Sequence, residues 1–295
     1  MGIIVYNADT QQIHIDQYSE HKDLCRPGHA TFCFYKKYGQ YQDWCGAGRS
    51  SGRETVARVA GGAVAKLILA EEGIELMAYT VQCMGIIAKE MTWEEVKKHY
   101  RKNEINCPDL EVAEKMTKRV LEIKEEGDTA GGIIELRING VPAGLGEPVF
   151  DKLSAMLGHA LFSIGAVKGV EFGAGFKVGD MKGSENNDQF TKRDGKITFK
   201  TNNAGGVLGG ISTGDEIVAR IVVKATPTIS IKQDSVNMQE LEIEELNPIT
   251  RRDPTLVGRH YAVIEAMAAI TIVDALMMAR GYDHVCRIEN KWREI

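Results

Sequence analysis

The stretch AVIEAMAAITIVDALMMA, Ala262 to Ala279, decides how the rest of the chain is read. It is apolar almost all round and long enough to raise the question of a membrane span. It carries Glu265 and Asp274, nine residues apart, and about 900° of helical rotation puts them on opposite faces. Two carboxylates facing opposite ways are costly in lipid. A helix buried on most sides of a protein core fits better. Such a helix needs cover on more than one side, so we expect helices held between sheets. The pattern starts this helix after Arg259 and ends it at Gly281.

Working outward, the preceding segments VKGVEFGAGF, KITFKTN and EIVARIVVKATPTIS read as strands. Gly131–Ile138 alternates like a strand, and GIELMAYTVQ reads as another. Between them lie two amphipathic helices, Thr92–Arg101 and Pro108–Glu126. The second has the stripe Val112, Met116, Val120, Ile123, and Gly127 closes it. A further helix is expected from Glu147-Pro148, with proline in its first position and the stripe Val149, Leu153, Met156, Leu157, Ala160. Ser51 to Glu54 has capping-box spacing, and Val56, Val59, Ala63, Leu67 and Ala70 recur behind it up to Gly73. Thr31–Trp44 reads as loop and short strand, and GIIVYN at residue 2 as a strand. Helices and strands alternate irregularly, which predicts an α+β class. No linker or repeat divides the chain, so a single domain over 1–295 is expected.

The chain has 295 residues, 43% hydrophobic and 26% charged, which excludes a disordered or low-complexity chain. Its net charge of −5 gives no global basic surface for nucleic acid or membrane. Six cysteines without a C-x-x-C pair, and a start that is no signal peptide, point to a reduced, cytoplasmic protein.

Four segments carry candidate chemistry. Arg26-Pro27-Gly28-His29 places a histidine on a constrained turn. Gly46–Glu54 is a Gly-rich turn that feeds a helix, with Arg49 and Arg53 beside free amides, an arrangement suited to anions. Lys224-Ala-Thr226-Pro-Thr228 ends a strand with a cation and two hydroxyls, and Gly205–Gly214 adds a second Gly-rich loop. Each alone is also an ordinary turn. Together they favour a large pocket for an anionic ligand.

Other patterns compete for the same residues. Gly48-Arg-Ser50-Ser-Gly52 matches the nucleophile elbow of serine hydrolases, with Asp253 or Asp274 and His260 or His284 in the right order. An elbow needs an apolar strand before it, and Tyr41–Cys45 is a poor one. The dinucleotide-loop reading of Gly46, Gly48 and Gly52 fails the same test. Cys25, His29 and Cys33 could share a helix face around a metal, but Pro27-Gly28 opposes that helix, and no metal is expected.

Six segments in order resemble the chorismate synthase family. They are RPGHA at Arg26–Ala30, GRSSGRET at Gly48–Thr55, GLGEPVFDKL at Gly144–Leu153 and SIGAVKGVEFG at Ser163–Gly173. NNAGGVLGGISTG at Asn202–Gly214 and RRDPTLVGR at Arg251–Arg259 complete the set. The resemblance implies a β-α-β sandwich, with helices packed between two antiparallel sheets, and a homotetramer. It implies elimination of phosphate from 5-enolpyruvylshikimate 3-phosphate to give chorismate. It also implies reduced FMN as cofactor, from an external flavin reductase or another source of reduced flavin. Carried onto this sequence, Arg26, Ser51, Arg53 and Arg251 match substrate contacts. Arg49, Ser50, Ser51, Gly165, Ala166, Gly209, Lys224, Ala225, Thr226, Pro227, Thr228 and Arg251 match cofactor contacts. His29 matches a histidine placed to protonate the departing phosphate, and Asp253 an aspartate that draws a proton through the flavin. Three positions differ from the usual pattern. Thr31 stands where an aspartate is usual, Ala225 where a proline is, and Arg252 where a histidine is. Met1 falls inside the family pattern, after a Gly-Glu-Ser-His-Gly segment and an arginine-rich loop, so a form lacking that segment is expected. An inactive flavin- or phosphate-binding remnant is the alternative, and a serine hydrolase the remote one.

Overall fold

The computed structural model describes residues 2–6, 12–45, 48–193, 195–246 and 253–287. In chain order the first elements are α1 (Gln12–Glu20), α2 (Thr31–Tyr38), α3 (Thr55–Glu71), β1 (Glu75–Cys83), β2 (Ile86–Ile87), α4 (Trp93–His99) and α5 (Leu110–Glu125). Next come β3 (Gly132–Asn139), α6 (Leu153–Phe162), β4 (Val167–Phe172), α7 (Gly183–Asn186), β5 (Phe190–Arg193) and β6 (Lys196–Phe199). The last are β7 (Val207–Leu208), β8 (Ile211–Ser212), β9 (Ile217–Val223), β10 (Gln233–Val236), β11 (Ile243–Leu246) and α8 (Val257–Arg287). One sheet has five strands in the order β2-β1-β3-β9-β4, and β5–β6, β7–β8 and β10–β11 are two-stranded antiparallel ribbons. The expected mixture of helices and antiparallel sheets is present.

The chain folds into two compact units, and it passes between them several times. The first comprises residues 1–58, 80–133 and 223–260. Its core joins Cys83 to Ile105, Cys107 and the inner face of α5, where Ala113, Met116, Val120 and Ile123 are buried. Asp109 caps α5 through the amide of Val112 at 3.3 Å, and Thr92 and Glu95 form a capping box on α4.

The second unit comprises residues 59–79, 134–222 and 261–295. Its strands alternate: Ile134, Leu136 and Ile138 on β3 and Ile217, Ala219 and Ile221 on β9 are buried, with more exposed residues between them. The part of α8 in this unit behaves as a core helix. It is long and apolar enough to cross a membrane, yet 61% of its most apolar window is buried within the protein. Glu265 is fully buried, while Asp274 on the opposite face is exposed. Glu265 pairs with Lys66 of α3 and accepts the Ala78 amide at 3.0 Å. The two carboxylate oxygens are thus satisfied, as burial of the charge requires.

Several expectations are corrected. Residues 2–6 form no strand and are exposed, because no strand among the described residues pairs with them. Thr31–Tyr38 is a helix rather than loop or strand. Its aromatics sit at helical spacing, with Phe34 and Tyr38 rings 5.5 Å apart and Lys36 over Phe32. Helix α3 buries Gly62, Ala65 and Leu69, and Val56 and Leu67 are exposed. Ser51 caps a 3₁₀ turn, Gly52–Glu54, through the Arg53 amide, and Glu54 pairs with Arg58 instead of completing a box. Helix α6 starts at Leu153, not at Glu147. Gly144 and Gly146 hold φ of +103° and +106°, which no helix uses, and the Leu153 amide bonds Gly210 O at 2.7 Å. The strand expected to run to Ser230 stops at Val223, and α8 starts at Val257 and runs beyond Gly281.

Candidate active site

The site of the first unit is built on the turn between Leu24 and α2. Leu24 bridges Asn237, the Cys25 amide donates to Val236 O, and Ser235 Oγ donates to Cys25 O at 2.6 Å. These bonds strap the turn to β10. Gly28 takes φ of +68°, and Pro227 lies so close that a Cβ there would meet its Cβ at 3.3 Å. Lys224 Nζ donates to the Gly28 carbonyl at 2.5 Å. Five expected residues therefore meet: Arg26, His29, Lys224, Pro227 and Thr228. Arg26, His29, Pro227 and Thr228 line a pocket of about 10 Å³, the size of one water. Beside it is an open cleft of about 460 Å³, bordered by the same turn, Phe32, Asp234 and Ile243.

Arg26 and His29 are coupled. Arg26 Nη2 lies 3.0 Å from both ring nitrogens of His29, and Arg26 Nε donates to Thr31 Oγ1 at 3.2 Å. Thr31 Oγ1 is also 2.7 Å from His29 Nδ1. Burial, then the cationic Arg26 and Lys224, push the His29 imidazole from 6.5 down to about 4. Burial likewise lowers the pKa of Arg26, which stays charged. The arrangement is a cationic, half-buried cluster beside a neutral imidazole, suited to an oxyanion.

The comparisons decide the family. The chorismate synthase family model matches residues 1–277. A chorismate synthase of Acetivibrio thermocellus is 52% identical over 296 aligned residues, covering 99% of this chain and 75% of that protein. This chain belongs to the chorismate synthase family. A chorismate synthase of Methanosarcina mazei is 47% identical over 277 residues, covering 94% of this chain and 75% of its own length. A crystal structure of chorismate synthase superposes with a TM-score of 0.71 at 30% identity, over 84% of this chain and 70% of that one. Chorismate synthases are lyases of aromatic amino acid biosynthesis.

The remaining chorismate synthase-type positions lie as follows. Ser51 Oγ accepts from the amide and Nε of Arg53, so these two are held to each other, and Arg49 and Arg53 are exposed. Ser50 ends a 3₁₀ turn, Gly48–Ser50, and residues 41–45 before it form no strand. The nucleophile-elbow geometry is therefore absent among the described residues. Cys25 and His29 sit on a turn and Cys33 on α2, so the three share no helix face. Thr129 Oγ1 donates to Thr226 O at 2.7 Å, while Thr226 Oγ1 is buried with no hydrogen-bond partner among the described residues. Ala225 N lies against Gly131, where a Cβ would come within 2.9 Å of it. Asp253 pairs with Arg259 at 3.0 Å. Arg251 lies outside the described residues.

In the second unit, Ala166 holds φ of +70° in the turn between α6 and β4, beside Gly165. Gly209 and Gly210, at φ of +60° and +92°, make the tight turn between β7 and β8. A Cβ at Gly165 or Gly209 would meet nothing within 4 Å. Sequence reasoning missed two partners of the candidate residues. Thr31 was marked only as a departure from the usual aspartate, though its position two residues after His29 was the available signal. Arg259 closes the RRDPTLVGR segment, and its spacing from Asp253 gave no sign of their pairing.

Proposed function

We propose that this chain catalyses the 1,4-elimination of phosphate from 5-enolpyruvylshikimate 3-phosphate, giving chorismate, with reduced FMN. The observation that carries this reading is the cluster of Arg26, His29, Lys224 and Thr228 around one strapped turn. The substrate bears a phosphate and two carboxylates, and guanidinium and ammonium groups are the donors such a ligand requires. In this reading Arg26, with Ser51, Arg53 and Arg251, binds substrate. His29 meets the departing phosphate oxygen as charge develops there. Asp253, held by Arg259, is the carboxylate that takes up a proton.

The residues present fit a flavin. Thr226 supplies a buried hydroxyl without a partner among the described residues, and Lys224 and Thr228 add a cation and a second hydroxyl on the same segment. We assign Lys224–Thr228 to FMN, together with Arg49, Ser50, Ser51 and Arg251; Gly165, Ala166 and Gly209 are cofactor contacts by resemblance alone. When bound, reduced FMN supplies electron density to the allylic system of the substrate. An external flavin reductase, a homotetrameric assembly and a cytoplasmic location go with the same reading.

The test is anaerobic turnover of 5-enolpyruvylshikimate 3-phosphate with chemically reduced FMN, following chorismate absorbance and phosphate release. Turnover that falls about a hundredfold in His29→Ala supports the assignment. Bound reduced FMN without any turnover would make this chain a binding member of the family, and the catalytic reading would fail.

A further inference from the structure

The Arg26–His29 turn is entered through Cys25, and Cys25 is held from a strand two hundred residues away in the chain. Leu24 and Asn237 face each other in an antiparallel bridge. The residues on either side bond as a ladder would: Met238 N donates to Asp23 O at 2.8 Å and Cys25 N to Val236 O at 3.1 Å. A regular hydrogen-bonded antiparallel pair exchanges two bonds. Cys25 and Val236 make only one of them. Among the described residues, no bond runs from the Val236 amide to the Cys25 carbonyl. The Ser235 hydroxyl takes that carbonyl instead, at 2.6 Å. The direction of this bond is fixed, since a carbonyl oxygen only accepts and the hydroxyl holds the proton. Ser235 is buried, so water does not simply replace the bond when it is lost.

The peptide that carries the Cys25 carbonyl also carries the Arg26 nitrogen, and it is rigid and planar. Fixing its oxygen therefore fixes the direction in which Arg26 leaves. The Arg26 carbonyl accepts from the His29 amide at 3.1 Å, which closes the turn, and Arg26 Nη2 lies 3.0 Å from the ring nitrogens of His29. We infer that Ser235 is a positioning residue, whose hydroxyl stands in for a missing ladder bond and so holds Arg26 against His29. The inference rests on the proposed reading for its effect on turnover, but not for the geometry. Lys224 anchors the same turn at the Gly28 carbonyl, so loss of the Ser235 hydroxyl loosens the start of the turn and leaves its middle tied. The titratable groups around the ring are Arg26 and Lys224, with Asp234 and the Cys25 and Cys33 thiols along the cleft. Tyr18 of α1 acts on Arg26, and Lys36 of α2 on Cys25. Burial, then Arg26, then Lys224 depress the His29 pKa. A loosened start admits water and withdraws Arg26, and both changes raise it. Ser235 also borders the cleft, so a direct contact with a ligand is the rival role, and that role would leave the ligand-free imidazole unchanged.

The test follows the His29 C2 proton by NMR as the full chain is titrated, without substrate or flavin, with His29→Gln assigning the signal. Threonine and valine share a shape and differ in the hydroxyl, so Ser235→Thr and Ser235→Val form the decisive pair. Ser235→Ala removes the donor without adding bulk, and either donor-free variant suffices for the reading. Wild type and Ser235→Thr should titrate near pH 4. Ser235→Val and Ser235→Ala should titrate at least about half a pH unit higher. Their kcat/KM should be about tenfold lower, as expected for one lost hydrogen bond, and Ser235→Thr should keep the wild-type rate. A His29 titration that the donor-free variants leave unmoved would overturn the inference. So would a shift in Ser235→Thr equal to that in Ser235→Val, or an unchanged rate in the donor-free variants of an active protein. A shifted titration with no turnover in any of the proteins, wild type included, would support the geometry and sink the reaction reading alone.

Discussion

At the scale of single residues, the site is a set of constraints on one imidazole. Gly28 supplies a left-handed turn that a side chain would strain, and the Lys224 ammonium holds its carbonyl. His29 is thereby kept beside two cations and partly out of water. A histidine whose pKa falls from 6.5 to about 4 on folding binds its proton less well in the folded state than in the unfolded one. Its contribution to stability is complete above about pH 6.5 and is lost as pH falls toward about 4. Urea midpoints measured from pH 7.5 to 4 should therefore fall, and His29→Gln should flatten part of that slope. Identical slopes in the two proteins would show that His29 titrates normally. The RPGH motif made this residue legible in the sequence. Its surroundings were not, because they bring in the Lys224 ammonium from a distant segment and a threonine that carries no motif of its own.

At the scale of elements, sequence spacing worked where a helix has one polar face and failed where it has none. Helix α5 has charged residues around a narrow apolar stripe, and Met116, Val120 and Ile123 are buried as expected. Helix α3 is apolar nearly all round, so its spacing fits more than one face. What selects the buried face is Gly62, whose missing Cβ lets Ala266 of α8 approach, and Lys66, which reaches Glu265. A Cβ built on Gly62 would stand 2.4 Å from the Ala266 Cα, and neither backbone can yield cheaply. Gly62→Ala should therefore destabilise the protein by about 1–3 kcal/mol through overpacking, with a matching fall in the urea midpoint. Gly61→Ala, where a Cβ would meet only the Ile270 side chain at 3.7 Å, should cost much less. Equal costs at the two positions would mean that the helices do not meet through Gly62. The helix misplaced at Glu147 has a similar origin. Proline at a first helical position was a sound local signal, but the positive-φ glycines before it and the Gly210 carbonyl beyond it set the start at Leu153.

At the scale of the whole molecule, six motifs in order were enough to place the family, although no single motif was specific. The geometry that joins them was less accessible, since Arg26 and Lys224 are 198 residues apart and meet only through the fold. Composition was silent on the ligand, because a chain with net charge −5 gives no hint of a local cationic cluster. That contrast yields a test. Long-range repulsion of an anion by the negative whole is screened beyond about 10 Å at 0.1 M salt. The contacts at Arg26 and Lys224 are shorter than this and half-buried, so they are screened weakly. Added salt then weakens the contacts slightly and relieves the repulsion, and the two effects oppose. Calorimetric titration with inorganic phosphate should give a Kd that changes less than about threefold between 50 and 300 mM KCl. Lys224→Met should weaken binding about tenfold at either salt, the effect of one charge-assisted hydrogen bond. A Kd that rises steeply with salt and ignores Lys224→Met would place phosphate on exposed arginines such as Arg49 and Arg53, and the turn at His29 would lose its claim to the anion.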